Sequence, residues 1–169
     1  MQVALVAVVA VFGLGLYRQA IGRLEVAGSA RPQLAAARLI PGTEGLLRQA
    51  AEHLSKMQGG KSVGGFPAFE PPDDKYRSKI KNRSYSAEEA NHWVKEINNL
   101  LRQIAEKNPG LTLEEILQRQ GLTPREIDDF IIVLKNVQAT ARGMEGYGVT
   151  TETMNVLNGL FETLGVVPW

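Results

Sequence analysis

Five positive charges crowd into nine residues at Lys75, Arg77, Lys79, Lys81 and Arg83, with Tyr76 and Tyr85 set among them. Lysine and arginine side chains carry positive charge at neutral pH. They meet anions. Alternate residues of an extended segment share one side, so the spacing predicts a continuous cationic edge. Such an edge fits anionic lipid headgroups, a nucleic-acid backbone or the acidic helices of a neighbouring copy, and it is also what a solvated, self-repelling linker looks like. Phe66 and Phe69 stand just before it in a proline- and glycine-rich stretch. A free linker gains nothing from two phenylalanines, so these are expected to dock the segment on a surface.

Acid–base chemistry has few candidates. The paired carboxylates are Asp73-Asp74, Glu88-Glu89, Glu114-Glu115 and Asp128-Asp129. Both glutamate pairs fall in first helical turns, where negative charge complements the helix dipole, and that placement accounts for them. The chain has no cysteine, which removes disulfides, thiolate ligands and thiol nucleophiles. Its two histidines, His53 and His92, lack metal-ligand spacing. Gly59-Gly60-Lys61-Ser62 imitates the end of a phosphate-binding loop, but Ser55 stands where the earlier glycine is required and a helix precedes it. Residues 113–133 have helix-turn-helix spacing around Gly121. Glu126, Asp128 and Asp129 on the would-be recognition helix oppose a phosphate backbone. Asn82-Arg83-Ser84 is a glycosylation sequon that counts only on a luminal side. No catalytic residue, cofactor or metal is expected.

The elements that must carry the basic run begin with an apolar stretch. Residues 3–17 hold no charged or strongly polar side chain, and Arg18 ends the run. A spanning helix needs about 20 apolar residues. Extension through Ala20, Ile21 and Gly22 brings the helix to about 30 Å, with Tyr17 at the interface and Arg18 snorkelling. Val3, Leu5, Val9, Phe12, Leu16, Tyr17 and Arg18 are therefore the expected membrane anchor. A cleaved signal peptide fits poorly, because no basic residue precedes the run. The β-branched valines also suit burial in a partner or in the chain's own core. Arg18, Arg23 and Arg31 follow the run, so the positive-inside rule puts the C-terminal bulk on the cytoplasmic or equivalent inner side.

The net charge of +1 hides a segregation along the 169 residues. Residues 1–60 carry six basic and three acidic side chains, residues 61–85 again six and three, and residues 86–169 seven and twelve. The two ends are expected to have different neighbours.

The expected fold is all-α. Residues 1–22 form the apolar anchor helix and 23–58 short amphipathic helices, one over 29–40 and one opened by Thr43 as N-cap. Residues 59–85 form an extended basic linker, since glycine and proline at that density forbid a helix. Residues 86–169 form an acidic, compact four-helix domain, because three capping boxes follow in series: Ser86 with Glu89, Thr112 with Glu115 and Thr123 with Glu126. A fourth start lies at Thr151. The apolar stripes run through Trp93, Ile97 and Leu101, through Ile127, Phe130 and Leu134, and through Met154, Leu157 and Phe161. The combined expectation is a non-enzymatic, single-pass membrane-anchored tethering subunit of a larger assembly, a membrane complex or a virion, with the bilayer and other protein subunits as partners. The alternative is a nucleic-acid-associated protein that binds through residues 75–83.

Overall fold

The computed structural model describes residues 42–169. The expected anchor, Val3 to Arg18 inclusive, and the expected helix over 29–40 lie outside the described residues. Among the described residues six helices make the fold and no strand forms. None of these helices is long and apolar enough to cross a membrane. Two isolated bridges, Val63 with Phe66 and Glu145 with Val149, close tight turns.

The four helices expected after residue 86 form where their caps direct. α3 spans Ala87–Lys107 and α5, two elements later, Pro124–Gly143. Each opens on a complete capping box, with the Ser86 or Thr123 hydroxyl accepting the N3 amide while Glu89 or Glu126 reaches back. α4, Leu113–Arg119, has half a box, because Thr112 accepts from the Glu115 amide but Glu115 does not reciprocate. Its start is pinned instead by the Leu113 N–H, which donates to the Leu164 carbonyl at 2.8 Å. α6, Thr151–Thr163, is capped by Thr150.

α1, Thr43–Met57, corrects one expectation. Thr43 is its first helical residue, not its cap; Gly42, at φ 91°, caps it without a side chain. The Thr43 hydroxyl is fully buried and accepts from Asn108 Nδ2 at 3.2 Å, which ties the start of α1 to the end of α3. A hydroxyl used across 65 positions of sequence cannot also cap locally.

α3 is the central element, with α1 and α6 against it, α5 closing over α1 and α4 packed on α5. Leu47 and Leu54 of α1, Ile97 and Leu101 of α3, Ile116 of α4, Phe130 of α5 and Phe161 of α6 are fully buried in one core. Burial of each such side chain contributes about 1.5–3 kcal/mol. Because α1 is part of this core, the compact unit is Leu39–Trp169, larger than the expected 86–169 domain.

The largest correction concerns the expected linker. Residues 58–73 form a strap on the helices, and residues 74–82 are a helix, α2, Asp74–Asn82. The glycines and prolines end at Pro72. Asp73 then caps the helix by accepting from the Tyr76 amide at 2.7 Å. Tyr76 and Ile80, four residues apart, supply an inward stripe, with Ile80 1% exposed.

Candidate functional site

The basic residues belong to α2, so they do not form the single edge that alternate spacing in a strand would give. At about 100° per residue, an inward stripe at Tyr76 and Ile80 puts Lys75 and Lys79 on one flank and Arg77 and Lys81 on the other. Lys75, Arg77, Lys81 and Arg83 are exposed and Lys79 is partly covered. Lys79 is spent on an ion pair with Glu89 at 2.6 Å. That pairing holds the Glu89 carboxyl below its ordinary value, chiefly through the hydrogen bond from Lys79 and secondarily through the Ser86 amide. Arg77 touches Asp74 at 3.4 Å in an exposed pair.

Arg83 ends the helix in the left-handed region at φ 55°, the only non-glycine residue among the described ones to do so. The Ser84 N–H donates to the Lys79 carbonyl and the Arg83 N–H to the Ile80 carbonyl, at 2.9 and 3.0 Å. This is the Schellman closure, in which glycine is the usual residue.

The strap that precedes α2 is fastened by Ser55, whose carbonyl accepts from the Gly60 N–H at 2.7 Å and whose hydroxyl accepts from the Phe69 N–H at 2.8 Å. Asp129 of α5 accepts from the Gly64 N–H at 2.6 Å. Gly64 has to be glycine twice over: its φ is 58°, and a Cβ would come within 2.9 Å of the Glu126 carbonyl oxygen.

The two phenylalanines do dock, on this chain's own helices. Phe66 is 6% exposed and meets Phe130 edge-on at 6.0 Å between centroids. Phe69 is half-buried against Tyr76 at 6.2 Å, with the Lys56 ammonium 4.7 Å from its ring centroid. Phe66 is therefore a core residue, not a surface offered to a partner. The tyrosines of the basic run also turn inward. Tyr85 lies 4.8 Å from Trp93, and burial raises the pKa of its hydroxyl. A shallow groove of about 390 Å³ remains between Arg48, Gln49 and Glu52 of α1 and the strap from Phe66 to Glu70.

No protein-family model matches this chain, and no curated protein or solved structure matches it.

The helix-turn-helix spacing is realised by α4 and α5 around Gly121, at φ 90°. The acidic start of α5 is engaged with the strap through Asp129. The packing of α1 on α3 brings His92 near His53, a proximity that spacing along the chain did not reveal. Burial, more than the neighbouring Lys56, holds His53 below its ordinary pKa, and its Nδ1 is buried without a hydrogen-bond partner. Among the described residues no group of three potential metal ligands forms. A second depression, of about 340 Å³, lies between α3 and α6 and is lined by Lys95, Asn98, Arg102 and Glu152.

Lys61 and Glu89 were not singled out in the sequence for this surface. Gly59 lies against the Lys81 carbonyl, so an added Cβ would sit 3.4 Å from that oxygen, and the exposed Lys61 follows two residues later.

Proposed function

We propose that this chain is a single-pass, membrane-anchored tethering subunit of a larger assembly, a membrane complex or a virion. It holds parts together and performs no reaction of its own. One observation carries the reading: fifteen uncharged residues, closed by Arg18, precede a helical unit that starts only at Leu39 and has its own core. An apolar run of this kind has no reason to persist in water. Extended to Gly22 it reaches about the thickness of a bilayer core. Arg18, Arg23 and Arg31 favour an orientation with the helical unit on the inner side. In that arrangement the unit presents acidic helices and a basic α2 to neighbouring subunits or to the membrane.

A nucleic-acid-associated role through residues 75–83 is the second reading, favoured by the exposed Lys75, Arg77, Lys81 and Arg83. The inward turn of Tyr76 and Tyr85 counts against a platform on which bases stack.

The absence of cysteine gives a clean test, because one introduced thiol is the only one. Gln2→Cys and Asn155→Cys are compared in intact and permeabilised cells with a membrane-impermeant maleimide. The expected result is labelling of position 2 from outside and of position 155 only after permeabilisation. Labelling of neither until permeabilisation, with the protein recovered free of membranes, overturns the proposal.

A further inference from the structure

We infer that α2 is a membrane-surface contact whose outward face rests on anionic phospholipid headgroups. The inference deepens the anchor reading above and rests on it. With Tyr76 and Ile80 turned inward, the outer face carries Lys75, Ser78, Lys81 and Asn82 together with Asp74, whose carboxylate is met by Arg77 at 3.4 Å, and Arg83 follows at its end. That face holds no apolar side chain, so it sits on headgroups and does not insert among acyl chains. Among the described residues Lys75, Lys81 and Arg83 make no ion pair, whereas Lys79 is neutralised by Glu89. These three charges are held on a helix capped at both ends and do not lie on a mobile arm.

The rest of the unit points the same way. Residues 86–169 carry seven basic and twelve acidic side chains. An anionic leaflet repels that part and attracts residues 61–85, which carry six basic and three acidic side chains, so the field turns α2 toward the bilayer. Lys61, two residues after the glycine that lies against the end of α2, is exposed as well. Bases of a single strand would need aromatic faces, and Phe66, Phe69, Tyr76 and Tyr85 are packed on Phe130, on each other and on Trp93. A flat, diffuse anionic surface requires only charge. Three uncompensated cations near such a surface favour the docked state by roughly a hundredfold, and the preference falls with salt.

The test uses the full chain reconstituted in vesicles, with Ser78→Cys carrying a fluorophore and a quencher on the lipid headgroups. Vesicles are phosphatidylcholine alone or with phosphatidylserine added. The expected result is quenching that rises with phosphatidylserine, and that is lost in about 1 M salt, where the screening length is about 3 Å. It is lost equally in the triple variant Lys75→Gln, Lys81→Gln, Arg83→Gln. A chain that floats with both vesicle types but is quenched equally in each overturns this inference and leaves the anchor standing. A chain that floats with neither removes the anchor reading and this one with it. Salt-sensitive binding of an oligonucleotide, with no response to phosphatidylserine, assigns the cations to nucleic acid and also overturns the inference.

Discussion

Lys79 donates to one oxygen of Glu89 at 2.6 Å, while the other oxygen accepts from the Ser86 amide at 3.3 Å in the capping box of α3. One carboxylate thus joins the basic helix to the first turn of the central helix. Glu89→Gln keeps the capping box, since glutamine serves at that position, and loses the ion pair. The pair is half-exposed, so the expected cost is below about 1 kcal/mol. Because the folded-state pKa of Glu89 lies below its ordinary 4.5, this contribution is complete above that value and disappears as pH falls through the lowered one. Urea melts from neutral to acid pH should show a steeper acid loss in the wild type than in Glu89→Gln.

His53 acts with the same sign on the same axis, about two pH units higher, because its folded-state pKa is also lowered, from 6.5 where that of Glu89 is lowered from 4.5. Burial favours its neutral form, so the folded state is fully stable above the ordinary value of 6.5 and loses stability as pH falls below it toward the lowered folded value. His53→Gln should remove most of the loss between neutral and mildly acid pH. An unchanged slope would show that the acid loss belongs to a group other than His53.

Phe66→Ala tests whether the strap belongs to the core. Removal of a buried phenylalanine packed on Phe130 is expected to cost about 3–5 kcal/mol in a denaturant melt. Unaltered stability would return Phe66 to the role of a free docking side chain.

Arg83→Gly should stabilise the fold. The left-handed conformation at φ 55° costs an L-residue about 1–2 kcal/mol, partly offset by the greater unfolded-state entropy of glycine. A net gain of about 0.5 kcal/mol is expected, read as a higher midpoint at constant m-value. The same variant should weaken association with anionic vesicles, which would explain an arginine where glycine fits better.

The helices after residue 86 were legible because their signals are local: a hydroxyl, a carboxylate three residues on, and apolar residues three and four apart. α2 was hidden by its charges. Lys75, Arg77, Lys79 and Lys81 alternate with period two and imitate a strand edge, while the true helical signal was the four-residue interval from Tyr76 to Ile80. Thr43 looks like a cap in the sequence because its actual partner, Asn108, is 65 positions away. The burial of Phe66 depends likewise on the distant Phe130. The cationic side chains were visible from the start; how many are free was not, since the partner of Lys79 is a capping-box residue of the next helix.

In the proposed arrangement the apolar run holds the chain in a membrane while the helical unit folds without it. Alkaline extraction of membranes from cells expressing the full chain, beside a version lacking residues 1–22, tests it most directly. The full chain is expected in the pellet and the shortened chain in the supernatant, helical and cooperatively folded. Recovery of both in the supernatant, with the shortened chain alone misfolded, would contradict it and make the apolar run part of a protein core or interface.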